Sequence, residues 1–86
     1  MNREQKVRAA VEAEVQRVLQ NSGRPVRSFQ DEELLFAQIG LDSLDIAQVV
    51  VALEQVLGID PFRKQGSPIR TFGDLVRAYL PETEIN

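Results

Sequence analysis

The chain contains no cysteine and no histidine. These two absences exclude a thiol nucleophile, a Ser-His-Asp triad, an imidazole general base and any zinc site built from sulfur or nitrogen ligands. Carboxylates are present, with 13 Asp and Glu, but a catalytic pair must line a cleft that excludes water. A chain of 86 residues has little volume in which to build one. No catalytic residue and no metal site are expected. No apolar run approaches the roughly 20 residues that cross a bilayer, and Met1 to Ala10 lacks the basic-then-apolar pattern of a secretory leader. A cytoplasmic address without membrane insertion is therefore expected. Clustered positive charge is missing as well: the ten Lys and Arg are scattered, only Arg63 and Lys64 are adjacent, and the net charge is -3. Displacing counterions from nucleic-acid phosphates requires grouped basic residues, so nucleic acid is not an expected partner.

Hydrophobic residues make up 43% of the chain and charged residues 27%, the balance of an ordinary globular protein. A single all-α domain over residues 1–86, a monomer, is expected. From Asn2 to Gln20, Val7, Val11, Val15, Val18 and Leu19 recur at spacings of three and four, which predicts an amphipathic helix. Asn21-Ser22-Gly23 and Pro25 end it. A connection over 21–41 follows, longer than most loops. Phe29, Leu34, Leu35, Phe36 and Ile39 are expected to pin it, with a short helical turn at Asp31 to Phe36.

A second helix is predicted from Ser43 to Leu57, with Asp42 as N-cap and Gly58 ending it in the left-handed conformation. Ile46, Val50, Leu53 and Leu57 form the expected core stripe. Leu44, Ala47 and Val51, flanked by Gln48 and Gln55, form a second apolar strip suited either to docking a partner or to packing against the loop. Asp60 and Pro61 open a short helix near 61–64. A last helix over 72–80 starts at Thr71, paired with Asp74 in a capping-box-like arrangement, buries Phe72, Leu75, Val76 and Tyr79, and stops at Pro81 before a tail over 81–86. Three principal helices and one short one predict a small bundle.

The most specific string is Gly40-Leu41-Asp42-Ser43-Leu44-Asp45. Gly40 permits the tight turn that delivers the chain to a helix start. Ser43 stands at the first helical position, where a phosphate on its hydroxyl would lie beside free N–H groups and the positive end of the helix dipole. An anion there is favoured by roughly 0.3 to 1 kcal/mol. Read alone, Ser43 is equally a helix-capping serine.

The string Gly40-Leu41-Asp42-Ser43-Leu44 resembles the phosphopantetheine-attachment motif of the acyl and peptidyl carrier protein family. The resemblance covers about residues 3 to 80, including the long loop, the helix after Ser43 and the closing Thr71-Phe72-Gly73-Asp74-Leu75 segment. It implies that Ser43 receives 4'-phosphopantetheine from coenzyme A through a separate phosphopantetheinyl transferase, with Asp42 helping the transferase and its magnesium engage the site. It further implies that Leu44, Asp45, Ala47, Gln48, Val51 and Glu54 meet acyl-loading, elongating or transferring enzymes. Asp45 and Glu54 would be the acidic contacts, although a solvated helix face accounts for them equally well. One departure stands out: Gln48 and Gln55 occupy places where such carriers commonly have Glu. The resemblance thus favours a specialised fatty-acid or polyketide-type pathway over the general fatty-acid supply.

Other readings stay open. A standalone aminoacyl or peptidyl carrier shares all of these features, and a helical interaction module without a prosthetic group shares the composition. A serine hydrolase would need Lys6 or Lys64 as its base, and neither has a spacing that brings it to Ser43. Phe36, Ile46, Val50, Leu53, Leu57, Ile69, Phe72 and Val76 either shelter an acyl chain or pack as core.

Overall fold

Asn2 opens the first helix, α1 (Arg3–Asn21), through a capping box in which the Gln5 N–H donates to Asn2 Oδ1 at 2.8 Å and the Asn2 N–H donates to Gln5 Oε1 at 3.3 Å. The valine stripe faces inward as its spacing requires, with Val7, Val11, Val15, Val18 and Leu19 all buried. The helix runs one residue later at each end than the predicted 2–20. At its C-terminus Ser22 Oγ donates to the Val18 and Leu19 carbonyls. The computed structural model describes residues 2–58 and 69–80. The short helix expected near 61–64 with Asp60, Pro61, Arg63 and Lys64, and the tail over 81–86, lie outside the described residues.

Two further helices follow, α2 (Ser43–Leu57) and α3 (Phe72–Ala78). The described residues are otherwise non-regular apart from one π-type turn, Leu35–Ile39, and an isolated antiparallel bridge between Leu34 and Thr71. This is the expected all-α architecture. Among the described residues no helix is long and apolar enough to cross a membrane.

The connection between α1 and α2 is held at several points. Phe29, Leu35, Ile39 and Leu41 are buried in the core. The Phe29 and Phe72 rings meet at 5.3 Å between centroids with a 40° tilt. Arg27 lies over the Phe29 ring and pairs with Glu33 at 2.6 Å, and Arg8 of α1 forms a two-point ion pair with Asp31. Two expected pins are not pins: Leu34 and Phe36 are 41% and 55% exposed. The π-type turn explains Phe36. Its closing bond runs from the Ile39 N–H to the Leu34 carbonyl at 2.9 Å, so Leu35 and Ile39, four apart, share the inner face and Phe36 points away.

The helical turn expected at Asp31 to Phe36 is likewise displaced to Leu35–Ile39. Its carbonyls are already engaged by α3: the Gly73 N–H donates to the Asp31 carbonyl and the Phe72 N–H to the Glu33 carbonyl, each at 2.9 Å. This contact also fixes Gly73, because a Cβ there would stand 3.0 Å from Asp31 Cβ and 3.1 Å from the Asp31 carbonyl oxygen. A larger residue at 73 would push the Asp31 segment away by a few tenths of an ångström, so glycine lets α3 start close against the loop. The capping box at Thr71 and Asp74 is present, with the Asp74 N–H to Thr71 Oγ1 at 3.0 Å and the Thr71 N–H to Asp74 Oδ2 at 3.1 Å. The four expected apolar residues from Phe72 to Tyr79 are buried. The helix itself ends two residues earlier than predicted, at Ala78.

In α2 the boundaries are those predicted, and three of the four expected stripe residues, Ile46, Leu53 and Leu57, lie in or against the core, while Val49 takes the place expected of Val50. Val49 and Leu53 are fully enclosed and Asp45 is nearly so, whereas Ile46, Val50 and Leu57 are only partly buried. The run Val49-Val50-Val51 offers three adjacent apolar choices, and packing against α1 selects the first. Truncating the wrong valine should therefore cost little. Val49→Ala is expected to destabilise by about 2 to 3 kcal/mol through lost burial and a cavity. Val50→Ala is expected to cost about 1 kcal/mol or less, offset in part by the helix propensity of alanine. Urea unfolding of the two variants decides the register, and equal effects would contradict it.

Candidate functional site

The approach to α2 is built one residue at a time. Leu41 is buried and donates its N–H to the Leu35 carbonyl at 2.9 Å, which anchors the segment to the π-type turn. Gly40, just before it, has φ 92° and ψ 22°, the left-handed region that glycine enters without a Cβ penalty. Asp42 is extended and is the N-cap: its Oδ1 accepts from the Asp45 N–H at 2.8 Å, while its own N–H donates to Asp45 Oδ2 at 3.1 Å. Reciprocal capping of this kind satisfies donors at the helix start.

The identity of the cap decides what Ser43 does. Because Asp42 caps, Ser43 is the first residue inside α2, it is exposed, and its hydroxyl makes no hydrogen bond among the described residues. The helix-capping role open to Ser43 on sequence grounds is filled by its neighbour. The first N–H groups of α2 point out of the same helix end. A nucleophile-sized oxygen thus stands free beside a region favourable to a phosphate.

Asp45 does not sit where a partner-facing acid would. It is only 9% exposed, and its carboxylate turns inward to Arg24 and to the Asp42 backbone. Expected as an acidic docking contact, it is instead an internal strut. Arg24 is the residue that sequence reasoning missed. Its Nε donates to Ser22 Oγ at 2.6 Å, its Nη2 to Asp45 Oδ2 at 2.8 Å, and its Nη1 to the Gly40 carbonyl. One guanidinium therefore joins the end of α1, the turn at Gly40 and the first turn of α2. Nothing in Ser22-Gly23-Arg24-Pro25 announces this, since a lone arginine in a turn reads as a solvated charge.

The remaining predicted contact residues lie outside. Leu44 and Val51 are 67% and 55% exposed, and Ala47, Gln48 and Glu54 are exposed too. Ala47, Gln48 and Val51 come together with Gln55, Ala52 and Arg17 of α1 around a shallow groove of about 410 Å³. Leu44 and Glu54 stand beside the groove without lining it. Arg17 is also paired with Glu14 one turn away, at 2.8 Å.

Burial on its own would push the Asp45 carboxyl up, but the hydrogen bonds from Arg24 and the Asp42 backbone, together with the Arg24 charge, hold it below its ordinary value of 3.8. A carboxylate depressed in the folded state contributes stability that is complete above the unfolded value and is lost as pH falls through the folded one. The Arg24 link should accordingly be intact at neutral pH and loosen only below about pH 4. In Arg24→Gln, where only the Asp42 hydrogen bonds remain to offset burial, the Asp45 carboxyl titration followed by NMR should move upward. An unmoved midpoint would contradict the assigned pairing.

A family model described as the phosphopantetheine attachment site matches residues 9–65, a stretch that runs from α1 through Gly40–Asp45 and the whole of α2. Comparison with curated proteins gave no match, and comparison with solved structures gave none. Members of the family hold 4'-phosphopantetheine covalently, are modified by a phosphopantetheinyl transferase, and present the arm to other enzymes as carriers. The local geometry fits such a group, since an unengaged serine hydroxyl stands exposed at a helix N-terminus with no side chain hydrogen-bonded across it. With well over half of its 86 residues matched, the chain belongs to the phosphopantetheine attachment site family and is a phosphopantetheine-bearing carrier protein.

Proposed function

We propose that Ser43 is the attachment residue and that the protein carries acyl groups for a dedicated fatty-acid or polyketide-type pathway. The observation that supports this most directly is the division of labour at the start of α2: Asp42 and Asp45 cap each other, and the Ser43 hydroxyl is left exposed and unengaged. Ser43 Oγ would attack the pyrophosphate of coenzyme A and form the new oxygen–phosphorus bond. The adenosine bisphosphate would leave, and the hydroxyl proton would pass to the transferase. The first-turn N–H groups of α2 would favour the phosphate formed there. Asp42, adjacent and exposed, would help the transferase and its magnesium engage the site. When attached, the group supplies a terminal thiol for thioester linkage, which a chain without cysteine lacks.

The outward strip of α2 is the surface proposed to meet partner enzymes, with Leu44 and Val51 as its apolar contacts and Ala47, Gln48 and Glu54 around them. Gln48 and Gln55 are uncharged, so recognition would depend on shape and apolar contact more than on steering by long-range charge. That favours partners of a specialised pathway. Asp45 contributes to this surface only by setting the pitch and start of the helix that bears it.

Incubation with coenzyme A, magnesium and a broad-specificity phosphopantetheinyl transferase should raise the intact mass by one phosphopantetheine, and Ser43→Ala should abolish the gain. Loading of the Ser43→Ala protein, or no gain in the wild type, would contradict the assignment. For the docking strip, Leu44→Glu or Val51→Glu should slow loading or transfer about tenfold or more, with helix content by circular dichroism unchanged, because a charge in an apolar contact opposes desolvation. Unaltered rates in both variants would remove this face from the account.

A further inference from the structure

Ser43 owes its position to a residue outside the attachment motif. The segment from Gly40 to Asp45 has two ends, and Arg24 touches both: Nη1 donates to the Gly40 carbonyl and Nη2 to Asp45 Oδ2. Its Nε is at the same time tied to Ser22 Oγ, and Ser22 is itself fastened to the Val18 and Leu19 carbonyls at the end of α1. The guanidinium is therefore a bracket between the C-terminal end of α1 and the turn that presents Ser43. Lysine cannot copy it, because a point charge on a flexible stem does not hold three acceptors in a fixed fork.

We propose that Arg24 is a positioning residue for modification at Ser43, holding the Gly40–Asp45 segment in the one conformation a transferase can engage. The inference rests on Ser43 being the attachment residue. Without the bracket, the Gly40 carbonyl loses its donor, Asp45 loses its counter-charge, and the segment populates conformations in which the hydroxyl is misplaced. A partner that binds only the competent form then meets a smaller fraction of it, and apparent affinity falls by that fraction while the chemical step proceeds at its usual rate once bound. The signature is a raised KM with kcat preserved, which general loss of folded protein does not produce at fixed folded concentration.

The test uses the full chain in four forms: wild type, Arg24→Ala, Arg24→Lys and the double variant Arg24→Ala with Asp45→Asn. In transferase kinetics with the carrier as varied substrate, Arg24→Ala should raise KM about fivefold or more with kcat within about twofold, and Arg24→Lys should fall between it and wild type. The double variant should keep the raised KM, because the Gly40 carbonyl remains unheld. Its return to wild-type KM would show that Arg24 merely neutralises Asp45 and would overturn the proposal, as would an unchanged KM in Arg24→Ala. Hydrogen exchange on the unloaded proteins gives a readout that needs no modification. The Leu41 and Asp45 amides should exchange at least about fivefold faster in Arg24→Ala, while Val11 and Val15 in α1 keep their protection. Unchanged exchange at Leu41 and Asp45 would overturn the proposal. Failure of the wild type to load at all would instead refute the Ser43 assignment, and the exchange data would still decide whether Arg24 holds the segment.

Discussion

The paired hydrogen bonds between Asp42 and Asp45 are the constraint on which the proposed attachment site depends. They decide where α2 begins, and by taking the capping role from Ser43 they leave its hydroxyl exposed. They also turn the Asp45 carboxylate inward, where it would be an uncompensated buried charge were it not met by Arg24. Burying one partner of an ion pair without the other is strongly destabilising, so the cap and the arginine form a unit. The start of α2 is thus fixed by hydrogen bonding and not by an enclosing pocket, which leaves Ser43 open to solvent, as the proposed attachment requires.

The long connection before α2 serves the same end. Loops of this length tend to carry function or to be pinned by their own side chains, and this one is pinned. Phe29, Leu35, Ile39 and Leu41 enter the core, while the Arg8–Asp31 and Arg27–Glu33 pairs and the backbone bonds to Phe72 and Gly73 hold its middle. By the time the chain reaches Gly40, little freedom is left except the turn itself. The left-handed conformation of Gly40 and the buried Leu41 then aim the first turn of α2. Across the bundle, α1 provides the reference frame, since it packs against α2 and α3 and supplies Arg8, Glu12 and Gln16 to the loop.

What was legible in the amino-acid sequence was local. The extent of α2, its Asp42 cap, the Thr71 and Asp74 pair, and the inward valines of α1 follow from hydrogen bonds and spacings within a few residues, which pattern and capping rules describe directly. The string around Ser43 drew its meaning from the family resemblance, since capping rules alone left Ser43 readable as a helix cap. What escaped required knowing how distant parts meet. Asp45 reads as an exposed acid on a polar margin until Arg24, 21 residues earlier in the chain, is seen to face it. Three consecutive valines give no preference for Val49 over Val50 until α1 lies against them. Phe36 reads as a loop anchor because its neighbours are apolar, and only the wider turn at Leu35–Ile39 sends it outward.

The proposal that the phosphopantetheine is held on Ser43 comes down to a single oxygen atom, Ser43 Oγ. The most direct measurement is peptide-level mass spectrometry of the protein produced together with a phosphopantetheinyl transferase, locating the added group by fragmentation. The account predicts the phosphopantetheine on Ser43 alone. Finding it on Ser22, Ser28 or Ser67, or finding Ser43 unmodified in protein that carries the group elsewhere, would contradict it.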